Sequence, residues 1–234
     1  MADAARTGAA EINEDAPRRN GEDIALEIAH RLEEEIVFGR LHPRERLIEE
    51  QLAAQFGVKR HIVRQAIIVL ERLGLVERPR NRGAVVRLYT AKEVADLNDV
   101  RELLEGQAAS CIPLPLPQDA MEELERIQRE HSAAVAAQDR RGVFRSNIAF
   151  HRALFGHCGN AALLEAITLF AQKSHAYRSI AVSDRAYQDW AANAHWEMID
   201  AIRKEDRDRL VALCKAHLAP SRDHYIETLR QRYG

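Results

Sequence analysis

Only residues 75–87 of this 234-residue chain read as β-structure, and that restriction bounds what it can fold into. Leu75-Val76-Glu77-Arg78 and Ala84-Val85-Val86-Arg87 are short, β-branched segments flanking a Pro79–Gly83 turn, the pattern of a hairpin. No strand signal follows Leu88. The expected fold class is therefore mainly α with one small hairpin.

The helical segments can be placed from their apolar spacing. Ile24, Ile28, Leu32 and Ile36 form one stripe that Gly39 closes. A second helix is expected over about 48–56, a tight turn at Gly57-Val58, and a third helix over about 60–73, ended by Gly74. Past the hairpin, Thr90-Ala-Lys-Glu93 has the form of a capping box opening a helix through about Ser110. Three prolines within Ile112–Pro117 must break it. Periodic segments follow at about 118–138, 140–157, 160–180, 185–203 and 206–231, with Asp206 as N-cap and a kink at Pro220. That makes about six helices, enough for an antiparallel all-α bundle. The expected organisation is a disordered leader over 1–20, a head over 21–88 and a helical body over 89–234.

Charge is distributed unevenly. The formal net charge is −2, yet residues 58–87 carry eight Lys/Arg against two Glu, and residues 1–39 carry four Arg against ten acids. A basic segment of this kind suits a polyanion. The three cysteines, Cys111, Cys158 and Cys214, show no CxxC spacing and are odd in number, which speaks against a disulfide framework and fits a reducing, cytoplasmic setting. No apolar run approaches the roughly 20 residues that span a bilayer, and no membrane partner is expected.

Projected at about 100° per residue, the 60–73 helix places Val63, Ala66, Leu70 and Leu73 on one face and Arg60, His61, Arg64 and Gln65 on another. Arg suits bidentate contact with guanine and Gln with adenine, so the second face can enter a major groove. Arg78, Arg80, Arg82 and Arg87 in the hairpin would lie along phosphates or reach a minor groove.

The run from Arg46-Leu-Ile-Glu-Glu-Gln-Leu-Ala through Phe-Gly-Val-Lys-Arg-His-Ile-Val-Arg-Gln-Ala to Asn-Arg-Gly-Ala-Val-Val resembles the winged helix-turn-helix of GntR-family transcription regulators, over residues 40–87. The resemblance implies DNA contact by Arg46, Arg60, Arg64 and the wing-tip Gly83, with His61 and Arg82 at neighbouring contact positions. The chain departs from that pattern in several places. Lys59 stands where Ser or Thr usually caps the recognition helix, His61 where Thr is usual and Ile62 where Pro is common; Gln65 replaces Glu, and Arg44 replaces Gly. The lost cap should cost about 1 kcal/mol of local helix stability. Lys59 and Gln65 make the surface near the phosphates more positive, and an operator different from the family norm is expected.

In the second half, Asn147 and His151 are four residues apart on one helical face, while His195 and His217 stand on two later segments. Imidazoles from three helices can meet inside a bundle and hold a metal. Spacing alone equally allows surface or hydrogen-bonded core histidines. Phe150-His151-Arg-Ala-Leu with Gly159-Asn160, Ala194-His195 ahead of Ile199-Asp-Ala-Ile, and Asp206 through Ala216-His217-Leu resemble the FCD ligand-sensing domain of GntR regulators, over about residues 89–232, with Val100-Arg101-Glu-Leu-Leu-Glu105 matching its first helix. The six-helix count points to the VanR-like rather than the FadR-like branch.

That resemblance implies a divalent metal, zinc or nickel by ligand type, held by His151, His195, His217 and the residue at 147, with a small organic acid completing the coordination. The family's acid at that position is Asn147 here. Either the metal is retained in a less negative site that attracts an anionic effector more strongly, or it is lost and Asn147 hydrogen-bonds the effector directly. Arg101 is a candidate for the effector carboxylate, or else a surface pair with Glu105. Cys158 reads as a small buried hydrophobe, and His30, His131, His175 and His224 carry no spacing signal.

The expected function is a homodimeric DNA-binding repressor on a palindromic operator, controlled by a small carboxylate at the metal. One alternative is a constitutive DNA-binding dimer without metal or effector. Another is a metal-dependent hydrolase, which lacks both an HExxH motif and an evident general base, so no enzyme is expected.

Overall fold

A computed structural model of the chain describes residues 20–182 and 184–233. The expected leader over 1–20 lies outside these residues except for Asn20, which caps the first helix. That helix, α1 (Gly21–Val37), starts where the Asn20 side chain accepts from the Asp23 amide at 2.8 Å, with Glu22 and Asp23 in its first turn against the positive end of the dipole. Its stripe of Ala25, Ile28, Ala29, Leu32 and Ile36 is buried.

Helices α2 (Glu49–Phe56) and α3 (Arg60–Arg72) form the helix-turn-helix, joined through Gly57 at φ 65. The buried face of α3 is Val63, Ala66, Ile67 and Leu70, each with no exposed surface. The expected hairpin is present as β2 (Val76–Glu77) and β3 (Ala84–Val86). A third strand, β1 (Arg46–Leu47), pairs with the other edge of β3, so the order is β1-β3-β2, all antiparallel, with Arg46 opposite Val85 and Val76 opposite Val86. Two residues are too few for an alternation signal, and their partner is distant in sequence. Arg44, just before β1, sits at φ 69. This left-handed conformation costs a non-glycine residue about 1 kcal/mol or more, which explains the glycine preference of the family there.

Seven helices follow: α4 (Ala91–Cys111), α5 (Gln118–Ala136), α6 (Arg140–Gly156), α7 (Ala161–Val182), α8 (Arg185–Arg203), α9 (Arg207–Ala216) and α10 (Ala219–Tyr233). Both bonds of the Thr90–Glu93 capping box form, and the Asp206 side chain caps α9 through the Arg209 amide at 3.0 Å. The expectation of about six helices is corrected to seven among the described residues. The single helix expected over 206–231 is two, because Pro220 stands in the first turn of α10, where a missing N–H breaks no helical bond. The helix count therefore no longer favours the VanR-like branch.

Two large apolar cores and a small third one around Val135, Val143 and Ala192 hold the described residues together. The first runs through α1, α2, α3 and the small sheet and continues onto Val94, Ala176, Tyr177 and Tyr225 of α4, α7 and α10. Tyr225 donates to the Tyr89 carbonyl at 3.1 Å, and Tyr89 donates to the Gly74 carbonyl at 2.9 Å, tying the end of the recognition unit to the body. The second lies inside the bundle around Phe150, Leu154, Met198 and Ile199.

Candidate functional site

The DNA-reading candidates stand on β1, at and along α3, and at the tip of the wing. Arg46, Lys59, Arg60, His61, Arg64, Gln65, Arg82 and Gly83 are all exposed, on the side of α3 away from its packed face and along the sheet. Lys59 makes no side-chain capping bond, as the loss of Ser or Thr predicts. Arg64 makes a bidentate contact with Glu49 of α2, at 3.2 and 2.9 Å. The wing tip turns through Asn81 (φ 65) and Gly83 (φ 71), and a Cβ at Gly83 would stand in ordinary van der Waals contact with the Arg46 guanidinium, at 3.8 Å.

Two hairpin arginines have acidic partners within the chain. Arg78 pairs with Glu71 at 3.1 Å. Arg87 is half-buried, pairs with Glu93 at 2.7 Å and lies over the Tyr89 ring at 4.2 Å. Arg87 thus joins the wing to α4, a role invisible in a count of basic residues.

In the body, α6 carries Asn147 and His151, α8 carries His195, and His217 caps the C-terminus of α9. The three histidines meet. One ring nitrogen from each lies within 4.8 Å of the others, and the Nε2 atoms of His151 and His195 are 3.3 Å apart. Phe150 stacks on His195 at 4.1 Å and Trp190 on His217 at 5.2 Å, fixing both rings. Gln128 Oε1 takes the His195 Nδ1 proton at 2.9 Å, while Gln128 Nε2 donates to the Ala192 carbonyl at 2.9 Å. That arrangement leaves the His195 Nε2 lone pair facing its neighbours, the orienting device of metal-binding imidazoles.

Burial, followed by the charge on neighbouring rings and arginines, holds all three imidazoles neutral near pH 7. His151 and His195 lie well below the ordinary 6.5, and His217 is pushed down to about 3. Both His217 ring nitrogens and His151 Nδ1 are buried with no hydrogen-bond partner. A neutral imidazole with two orphaned nitrogens is costly, and a divalent cation satisfies one of them. The residues present therefore fit a metal held by His151, His195 and His217.

The cluster borders a cavity of about 360 Å³, within the size range of small-molecule sites, roughly 300–1,000 Å³. Asn147, His151, Arg101 and Glu105 line it, together with Phe155, Ile167 and Arg178. Arg101 does pair with Glu105, but buried rather than at the surface, at 2.7 Å, and it also donates to Ser174 Oγ at 3.1 Å. Cys158 is buried, as expected.

Spacing in the sequence passed over several residues here. Gln128 and His131 fall on the apolar stripe of α5 with Leu124 and Val135; polar residues on such a stripe were the available signal. Burial lowers His131 to about 4, and its Nδ1 meets Ser146 Oγ at 2.9 Å. His175 and Arg178 of α7 carried no comparable mark. Glu33 and Glu34 of α1 also line the cavity, so one wall belongs to the first helix of the winged unit. Glu34 meets Arg145 of α6 at 2.6 Å and Arg141 at 2.8 Å.

Comparison with known proteins agrees with this layout. Residues 24–86 match the model of bacterial regulatory proteins of the gntR family, and residues 96–220 match the FCD domain. The chain belongs to the GntR family and carries an FCD domain. This GntR regulator is 28% identical to the probable D-xylose utilization operon transcriptional repressor of Paenarthrobacter nicotinovorans, over 84% of the chain and 86% of that protein. Its fold is similar to that of a GntR regulator from Rhodococcus sp. RHA1, with a TM-score of 0.74 at 21% identity, covering 87% of this chain and 97% of that one. E. coli McbR/YncC gives a TM-score of 0.70 at 20% identity, covering 90% and 99%. The GntR chain is accordingly a DNA-binding transcription regulator and not an enzyme, with the mainly helical, winged architecture expected from its sequence. No helix among the described residues is long and apolar enough to cross a membrane.

Proposed function

We propose that this regulator is a homodimeric repressor whose grip on a palindromic operator is set by a small carboxylate bound beside a divalent metal. Residues 21–88 act as the DNA-binding unit and 89–234 as the sensing and dimerising unit. Arg60, His61, Arg64 and Gln65 read base edges from the major groove, while Arg46, Lys59, Arg82 and Gly83 contact the backbone near the wing. His151, His195 and His217 hold the metal, zinc or nickel by ligand type, with Asn147 beside them. When bound, the metal supplies positive charge that draws a carboxylate into the cavity.

The observation that carries this reading is His217, buried with two unpartnered ring nitrogens beside two further neutral imidazoles, of which His151 lines the cavity. The shared wall supports control of the DNA-binding unit from that cavity. An effector displaces α1 only as far as its affinity for the two placements differs. Asn147, neutral where an acid is usual, favours a second reading in which the effector binds without metal.

Fluorescence anisotropy on a palindrome selected from random duplex DNA tests the proposal, using the full chain loaded with zinc or stripped by a chelator. A carboxylate-dependent change in operator affinity in the zinc form alone supports the metal reading. The same change in both forms supports the metal-free sensor, and no change in either supports a constitutive DNA-binding dimer.

A further inference from the structure

The charge in the cavity is not where the family resemblance places it. Arg101 is already neutralised by Glu105, and its third contact is Ser174. Arg178 differs in each respect. It is only 8% exposed and lines the cavity. Among the described residues it makes no ion pair or hydrogen bond. A small, mostly apolar annex beyond it, lined by His131, Val143, Phe144, Asn147, Tyr187 and Gln188, includes no carboxylate. A buried guanidinium without an anion is unfavourable, and an imidazole, neutral or cationic, cannot supply one.

Much of the remaining wall is apolar, beside Glu33 and Glu34 of α1, of which Glu34 is paired with Arg141 and Arg145 and Glu33 with His175. Phe144, Ile148, Phe155, Leu164 and Ile167 supply apolar surface to the cavity. A two- or three-carbon acid would leave most of that surface uncovered in a space of about 360 Å³, whereas a body of about ten non-hydrogen atoms would bury it.

We infer that Arg178, rather than Arg101, recognises the anionic group of the effector, and that the effector is a monocarboxylate with an apolar body. The inference rests on the sensor-cavity reading above and deepens it. Arg178 offers a planar pair of donors to one carboxylate, while the apolar walls select against the short acids that the metal alone would accept.

Isothermal titration of the zinc-loaded full chain with octanoate, octanol and acetate tests this. Octanoate is expected to bind about tenfold or more tighter than either octanol or acetate. Arg178→Met should remove the preference for octanoate over octanol while leaving zinc content and operator binding unchanged. Its ligand-free melting temperature should hold or rise, because an unpaired buried charge is gone. Arg178→Lys, which keeps the charge, should retain part of the preference and guards against a folding defect in the first variant. Acetate binding as tightly as octanoate overturns the apolar-body inference but leaves a carboxylate sensor standing. An unchanged octanoate preference in Arg178→Met overturns the role of Arg178. Absence of any binding by a chain that also holds no zinc defeats the sensor reading itself, and this inference with it.

Discussion

His175 Nδ1 donates to Glu33 Oε1 across 2.7 Å, with both side chains buried, and so joins the first helix of the winged unit to α7 in the wall of the cavity. Burial disfavours the Glu33 charge, but the hydrogen bonds from His175 and His30 outweigh it and hold the carboxyl down at about 2. His175 itself is lowered by burial and stays neutral as the donor.

Replacing Glu33 with Gln weakens that link without removing the side chain. The variant should lose about 1–3 kcal/mol of stability by urea denaturation and respond less to effector in operator binding. A variant that keeps the full response would show that α1 does not carry the signal.

The titrating groups give the pH dependence a sign. Buried imidazoles held below 6.5, to about 4 for His131 and about 3 for His217, stay neutral while the unfolded chain takes up protons. Stability therefore falls as pH drops from about 6.5 toward 4. Glu33 adds to the loss at lower pH: its contribution is complete above 4.5 and disappears toward 2. For His131 alone the loss is about 3 kcal/mol. Chemical denaturation of metal-free protein at pH 7.5, 6 and 5 should show this decline, and a flat profile would mean that the imidazoles are solvated.

Arg64 and Arg87 are expected to separate recognition from architecture. Arg64→Ala should cost about 1–3 kcal/mol of operator affinity with no change in fold or metal content. Arg87→Ala should leave operator affinity nearly unchanged and lower stability by about 1 kcal/mol, through loss of the Glu93 pair and the Tyr89 stacking. The opposite outcome would place Arg87 on DNA.

Gln128 is expected to act through His195. Gln128→Leu should weaken metal binding about 10–100-fold in a competition titration with a chromogenic chelator, and Asn147→Asp should strengthen it by restoring an anionic donor. Equal affinities in all three proteins would mean that neither residue bears on the metal.

What could be read from the chain was what is encoded locally. The Thr90–Glu93 box, the apolar stripe of α3, the glycine turns and the hairpin are set by residues a few positions apart, and each stands where the spacing placed it. Strand β1 was not legible because its pairing is distant, and the α9–α10 break because a first-turn proline resembles a mid-helix kink in sequence. At the site, the meeting of His151, His195 and His217 came from family resemblance rather than spacing. Glu33, His175 and Arg178 acquire their roles only when α1 and α7 pack together, which no local pattern encodes.

Whether these three imidazoles hold one divalent metal is decided by the metal content of the purified full chain beside that of His195→Ala. Close to one zinc or nickel ion per chain is expected, and almost none in the variant, with both proteins folded. Stoichiometric metal in His195→Ala, or none in the unaltered chain after exposure to zinc and nickel, would contradict a three-histidine metal site.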